Sequence, residues 1–380
     1  MRNRILHIAD LHLGASHDYL GARSADRQAE ADSVLTRLVD RALEKKSKIG
    51  GVIIAGDLFD HYQPSGILVD SVIRDLERLA SAGIEILTVP GNHDEYSYPS
   101  CVYRMEASRW PGTIATCPNP ELVATWHLHK TDIELYAMAY IAGQSKAPYE
   151  QIPLSEATDV CRIGVFHGSL DVDWSDRSVP LTSASLAESG LDYVALGHIH
   201  RLSERPVGQN VAAYCGRIEG GGFHDPGGAD WLEVEPSVGG CSLHWSDFPS
   251  RKIETLTWNL SSVTSLAELE KRLEREAERD DDRVLRIRMT GISGFTLDAP
   301  RVAARWAHRF YHLDLVIPAD GTALPDLVEL CDEPTIRGRF VQIARERMAG
   351  MTDPEEKELA AAALRLGLAA FADTARAQKR

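Results

Sequence analysis

The sequence predicts an α/β protein built on two packed sheets, followed by a smaller α/β domain and a helical tail. Three observations carry this. Apolar strands alternate with helical stripes through residues 4–89, as βαβ units do. Strand-like runs separated by turns follow from about residue 121 to 235. Near residue 250 the composition shifts to a highly charged helix flanked by strands.

Taken in order, residues 4–9 (RILHIA) form a strand ending at Asp10. Residues 24–46 carry Val34, Leu35, Leu38, Val39, Ala42 and Leu43 at helical spacing. Residues 51–55 (GVIIA) are an apolar strand ending in Gly56-Asp57. Leu68, Val69, Val72, Ile73, Leu76, Leu79 and Ala80 form a second helical stripe, closed by Gly83. Residues 84–89 (IEILTV) lead into Gly91-Asn92-His93-Asp94. LVATWHLHK, IELYAMAYI, RIGVFHG, LDYVALGHIH, VAAYCG and DWLEVE read as strands of a second sheet packed on the first. IETLTWNL and RVLRIRM flank the helix 264–281, whose charged residues face solvent, and the strand YHLDLVIP follows. The expected domains are therefore 1–250, 252–335 and a helical hairpin at 336–380. In the tail, Asp353-Pro354 starts a helix. Leu359, Ala363, Leu366 and Ala370 lie on one stripe of that helix, for packing on its own domain or for docking a partner helix.

The bulk numbers exclude several classes. Of the 380 residues, 44% are hydrophobic and 26% charged, which is globular rather than disordered. No apolar run approaches the ~18 residues of a membrane span, and the N-terminus lacks the apolar core of a signal peptide. Cys101, Cys117, Cys161, Cys215, Cys241 and Cys331 are scattered without a CxxC pair, so they read as reduced thiols of a cytoplasmic protein. The net charge of −15 argues against coating nucleic acid with the whole surface, because phosphate neutralisation supplies most of that affinity. A nucleic-acid substrate would have to meet a local basic patch, bound cations or a partner subunit.

The chemistry collects at strand ends. Asp10-Leu11-His12, Gly56-Asp57, Gly91-Asn92-His93-Asp94, His167-Gly168 and Gly197-His198-Ile199-His200 each follow an apolar strand. Open α/β sheets place ligand sites at the carboxyl ends of their strands. Imidazoles, carboxylates and a carboxamide suit divalent first-row metals such as manganese, iron or zinc. There are ligands enough for two metals roughly 3.5–4 Å apart, a spacing that clamps a phosphate for in-line displacement. Asp10, His12 and one late histidine suit the first metal. Asn92, His167 and the other late histidine suit the second, with Asp57 as bridge. His93 remains beside the site for an acid or charge-stabilising role. Turn chemistry would account for the Asp, Asn and Gly residues, but not for histidines at four of the five strand ends.

DLH, GDLFD, GNHD, FHG and GHIH, in this order, resemble the calcineurin-like metallophosphoesterase superfamily. The resemblance implies a four-layer α-β-β-α sandwich. It places Asp10, His12, Asp57 and His200 on one metal and Asp57, Asn92, His167 and His198 on the other. It further implies that His93 assists the leaving group, oriented by Asp94. ILHIADLHLG, GDLFD and YCGRIEGGGFHDPG are similar to the double-strand-break-repair nuclease branch, SbcD and YhaO-like DNA exonucleases. That branch implies manganese-dependent DNA hydrolysis, an SMC-like (SbcC-type) coiled-coil ATPase partner docked through the helical tail, and a homodimer. In some of these nucleases a histidine stands three residues after the bridging aspartate; here Asp60 does, with His61 next, so that role is not carried onto His61. Arg217 and the glycines after it suit either a phosphate contact or a plain turn with a surface arginine. His127 and His129 read as an exposed strand face. The rival reading is a phosphodiesterase or phosphatase of small nucleotides, which would use the same ligands.

Overall fold

In a computed structural model of the chain, residues 3–129, 131–145, 152–172, 177–228, 230–291, 297–317 and 335–353 are described, with scattered positions beyond, to 368. Two compact units are resolved, Met1–Arg251 and Lys252–Arg380.

The first unit opens with β1 (Arg4–Ile8), α1 (Ser24–Asp32), α2 (Val34–Ala42), β2 (Ile49–Ala55), α3 (Gly66–Ser81) and β3 (Glu85–Val89). The short α4 (Val102–Met105) and β4 (Thr113–Ile114) follow. Next come β5 (Glu121–Leu128), β6 (Thr131–Ala137), β7 (Val160–Leu170), β8 (Val179–Leu181), α5 (Ser183–Glu188) and β9 (Tyr193–Gly197). The unit closes with β10 (Ser203–Val207), β11 (Asn210–Tyr214), β12 (Glu219–Gly222), β13 (Asp225–Gly227), β14 (Trp231–Glu235) and β15 (Ser242–Ser246).

One sheet runs β15-β14-β1-β2-β3-β4 and the other β10-β11-β9-β7-β6-β5. The strands β1, β2 and β3 are mutually parallel, as are β7 and β9. Period-two alternation sorts their side chains into layers. Leu6, Ile8, Val52 and Ile54 pack with helix residues such as Leu35, Leu38, Val72 and Leu76. Ile5, Ile53 and Leu87 point the other way, against Trp126, Ile133, Ile163 and Val165 of the facing sheet. A third cluster, with Phe166, Leu186, Leu191 and Val194, brings in α5 on the far side of the second sheet. Helices, sheet, sheet and helix thus make the four-layer α-β-β-α sandwich.

Two sequence readings are corrected. The single helical stripe at 24–46 is two helices, with Ser33 between them. DWLEVE belongs to the first sheet: β14 pairs antiparallel with β1. Cross-strand charge pairs match that register, Arg4 Nη1 lying 2.8 Å from Glu233 and its Nη2 3.0 Å from Glu235. Strand periodicity reveals which face is buried but not which sheet supplies the partner.

The second unit holds β16 (Ile253–Asn259), α6 (Leu266–Arg279), β17 (Val284–Thr290), α7 (Ala299–Trp306), β18 (His312–Val316) and α8 (Ile336–Ala349). Its three strands are parallel, in the order β16-β17-β18. Charged α6 buries only its Leu269, Leu273 and Ala277 stripe, the 3–4 spacing of an amphipathic helix. Beyond α8, Leu364 and Leu368 pack with Val341. Leu359 and Leu366 are exposed instead, so the stripe read from the sequence is the outer face; Ala370 lies outside the described residues.

Candidate metal centre

Five strands of the sandwich end at one place. Asp10 and His12 follow β1, Asp57 follows β2, Asn92 and His93 follow β3, His167 lies near the end of β7, and His198 and His200 follow β9. Backbone geometry marks the spot. Asp10, His12, Asp57 and His198 all have positive φ, at 54°, 46°, 49° and 93°. Left-handed backbone at non-glycine residues costs of order 1–3 kcal/mol each and persists where the surroundings hold it. Glycines make room: a Cβ at Gly91 would collide with the Asp57 carboxylate, and one at Gly56 with the His167 ring.

The side chains converge as two groups joined by Asp57. In one group, His12 Nε2 and His200 Nε2 face each other at 3.1 Å, and His200 Nε2 lies 3.9 Å from Asp10 Oδ1. In the other, His167 Nε2 and His198 Nδ1 lie 3.0 and 2.9 Å from Asn92 Oδ1. Asp57 Oδ2 stands between them, 3.7 Å from His12 Nε2 and 3.2 Å from His167 Nε2. Its Oδ1 accepts the His93 amide at 2.8 Å.

The rear nitrogens are fixed. His12 Nδ1 is 3.0 Å from Asp60 Oδ1, His200 Nδ1 is 2.9 Å from Asp225 Oδ2, and His167 Nδ1 is 3.0 Å from the Ala55 carbonyl. Such acceptors hold the Nδ1–H tautomer and turn Nε2 lone pairs inward, as around bound metals. The electrostatics fit a cation as well. Asp10 and Asp57 are 0 and 1% exposed. Burial opposes charge on His167, yet the Asp57 carboxylate outweighs it and pushes the imidazole up to about 9. Burial likewise opposes charge on Asp57, but His167 and His12 hold it well below the usual carboxylate range. A buried point that stabilises a proton on imidazole also favours a divalent cation. Candidate ligand groups are Asp10-His12-His200 and Asp10-Asp57-His167, with His12-Asp60-His93 adjoining them.

Several residues fall where the sequence did not put them. Asp94 does not orient His93. It is fully buried and accepts from the Gly91 amide at 2.7 Å, the Phe59 amide at 3.2 Å and the Tyr103 hydroxyl at 2.5 Å. Burial, together with the nearby Asp57 charge, pushes its carboxyl up to about 6. It braces the loop instead, and the His93 ring donates from Nδ1 to the Asp60 carbonyl at 3.0 Å. Arg217 is no surface arginine. It is buried, with Nη1 2.8 Å from Asp225 and Nε on the Glu219 carbonyl. Asp225 itself was missed; its only sequence signal was its place in GGGFHDPG. His61 is exposed and accepts the Gln63 amide at 3.1 Å. His127 is exposed and lies 2.7 Å from Asp132. A recess of about 910 Å³ lies beside Arg4, at the opposite end of β1 from Asp10. Its arginines are committed elsewhere, Arg37 to Glu219 and Arg41 over the Trp231 ring.

Comparison with known proteins agrees with this geometry. The family model for calcineurin-like phosphoesterases matches residues 3–202. The chain belongs to that family. It is therefore a metallophosphoesterase, a hydrolase whose fold implies divalent metals. The chain is 26% identical over 269 residues to the uncharacterized metallophosphoesterase YhaO of Bacillus subtilis, covering 68% of this chain and 62% of the relative. It is 26% identical over 230 residues to the DNA double-strand break repair protein Mre11 of Methanopyrus kandleri, covering 57 and 49%. It is 26% identical over 280 residues to a component of the SbcCD nuclease of Bacillus subtilis, covering 64 and 68%. The chain thus spans about half to two thirds of the length of these relatives. Among the described residues no helix is long and apolar enough to cross a membrane.

Proposed function

We propose that this metallophosphoesterase is a DNA nuclease, hydrolysing phosphodiester bonds in end processing or exonucleolytic repair. The observation that carries the reading is Asp57 Oδ2 set between two imidazole groups, in a chain similar to Mre11 and to a component of the SbcCD nuclease. Asp10, His12, Asp57 and His200 would hold one divalent cation, and Asp57, Asn92, His167 and His198 the other. Manganese suits this oxygen-and-imidazole set, with iron or zinc as the other candidates. Bound there, the cations would polarise the phosphoryl oxygens and lower the pKa of an attacking water.

The chain's own residues do the rest. Asp57 gives Oδ2 to the two groups while its Oδ1 holds the His93 amide, tying the loop after β3 that carries the acid to the loop after β2. His93 is fixed at Nδ1 by Asp60, and its Nε2 is left to exchange a proton with the leaving sugar oxygen. Asp60 and Asp225 keep His12 and His200 aimed.

The domain division into a nuclease core, a cap at 252–335 and a tail at 336–380 belongs to the same reading. So do an SMC-like coiled-coil ATPase partner, a homodimer and a cytoplasmic location. Exposed Leu359 and Leu366 support partner docking at the tail. The test is incubation of the full chain with linear duplex DNA and manganese, beside His93→Ala. Metal-dependent cleavage that His93→Ala abolishes supports the proposal. Turnover of phosphomonoesters alone, with DNA intact even beside the cognate ATPase, turns the assignment toward small-nucleotide hydrolysis.

A further inference from the structure

A groove of about 340 Å³ opens beside the candidate centre, lined by His200, Arg201, Leu202, His224, Pro226, Gly227 and Gly228. His200 belongs to both the centre and the groove, so a ligand filling the groove is continuous with a phosphate held at the centre. The uncommitted charge there is cationic. Arg201 is exposed and makes no hydrogen bond or ion pair among the described residues. His224 is exposed beside it. The one carboxylate in the lining, Asp225, is already engaged by His200 at 2.9 Å and by Arg217 at 2.8 Å. In a chain of net charge −15, a recess whose free charge is positive and which touches a candidate ligand fits an anion. Gly228 has no neighbouring atom within 4 Å of where a Cβ would stand, so that wall offers open backbone to a close ligand.

We propose that this groove holds the phosphate next along a nucleic-acid strand from the scissile linkage, and that Arg201 is the residue binding it. The inference rests on the nuclease reading and sharpens it. A small diester has no second phosphate to place there, whereas a strand does. Arg201 would therefore set the preference for polymeric substrate.

The test has a binding arm and a turnover arm. Fluorescein-labelled oligothymidylate is titrated by anisotropy onto the metal-free full chain in chelator, across a range of salt. Manganese-loaded protein is then assayed on the same oligonucleotide and on bis(p-nitrophenyl) phosphate. Wild type is compared with Arg201→Gln, Arg201→Lys and the distant control His127→Gln; Arg201 is exposed, so folding is not at stake. Arg201→Gln should weaken oligonucleotide binding about fivefold and shrink the log-log salt slope by ~0.7, the value of one single-strand phosphate contact. The oligonucleotide-to-small-diester ratio of kcat/KM should fall in proportion. Arg201→Lys should restore most of the slope, and His127→Gln should match wild type. An unchanged slope and ratio in Arg201→Gln, with wild type binding and cleaving the strand, overturns the groove assignment alone. A wild type that hydrolyses the small diester but neither binds nor cleaves the oligonucleotide overturns the nuclease reading, and the groove with it.

Discussion

Removing Asp225 should loosen one cation and spare the other. Its carboxylate lies 2.9 Å from His200 Nδ1 and 2.8 Å from Arg217 Nη1. It fixes which way the His200 ring faces. In Asp225→Ala the ring can rotate about its own axis, and Nε2 need no longer face His12 Nε2 at 3.1 Å. Losing such a supporting acceptor costs about 10–100-fold in metal affinity, or about 1.4–2.7 kcal/mol. The loss should fall on the site shared by Asp10, His12 and His200. Asn92, His167 and His198 form the other group, both imidazoles meeting Asn92 Oδ1, so the second site should change less than about threefold. Buried Arg217 also loses a partner, though it keeps the Glu219 carbonyl at 2.8 Å, so a urea melt is needed alongside. Asp225→Asn separates the two effects, because its amide oxygen can still accept from His200. Isothermal titration of the chelator-stripped chain with manganese reads both sites. Two unchanged affinities in Asp225→Ala would refute the reasoning that this carboxylate aims a ligand.

Four other outcomes are expected. His93→Ala should lower DNA cleavage by about 10²–10⁴-fold while manganese stoichiometry, read by plasma mass spectrometry, stays at the wild-type value; a matching loss of metal would make His93 a ligand instead. Gly91→Ala should cut metal content as well as activity, since the added methyl displaces the Asp57 carboxylate. Asp94→Ala should act on stability first: it strands the Gly91, Phe59 and Tyr103 donors, at about 1–3 kcal/mol each, seen as a lower urea midpoint. His7 should make the fold acid-sensitive. It is buried beside the Tyr193 hydroxyl at 2.9 Å, and burial lowers its pKa to about 3. Below about pH 6.5 the unfolded chain therefore takes up a proton that the native chain refuses, so stability falls as pH falls from about 6.5 toward 3. The slope is about 1.4 kcal/mol per pH unit. His7→Gln, melted in urea from pH 7 to pH 5, should lose that increment of slope; identical slopes would remove His7 from the explanation.

The sequence made the site more legible than the sheet. Each of Asp10, Asp57, Asn92, His167 and His198 sits where an apolar strand runs out, and strand ends are readable from hydropathy alone. The structure brings them together because parallel β1, β2 and β3 end on the same side of one sheet and parallel β7 and β9 deliver His167 and His198 from the other. What could not be read was partnership at a distance. Asp225 lies 25 residues from His200 in sequence, in a glycine-rich segment with no periodic pattern. Asp94 follows His93 directly, yet backbone direction turns it into the core toward Tyr103. Alternation in DWLEVE is the same on either side of a sandwich, so hydropathy does not choose β1 as the partner of β14. The tail stripe stays open between its two readings in sequence for a related reason: Leu359 and Leu366 are as apolar as Leu364 and Leu368, and only packing against Val341 separates the inner face from the outer.

The most direct test of the central claim pairs metal content with DNA cleavage in one preparation. The 380-residue chain, stripped and reloaded with manganese, is analysed for bound metal and incubated with linear duplex DNA beside Asp57→Asn. Two manganese ions per chain with metal-dependent release of nucleotides is the expected result, and Asp57→Asn should lose both together. A chain that binds two ions and hydrolyses small phosphate esters, yet leaves DNA intact, would contradict the assignment as a nuclease.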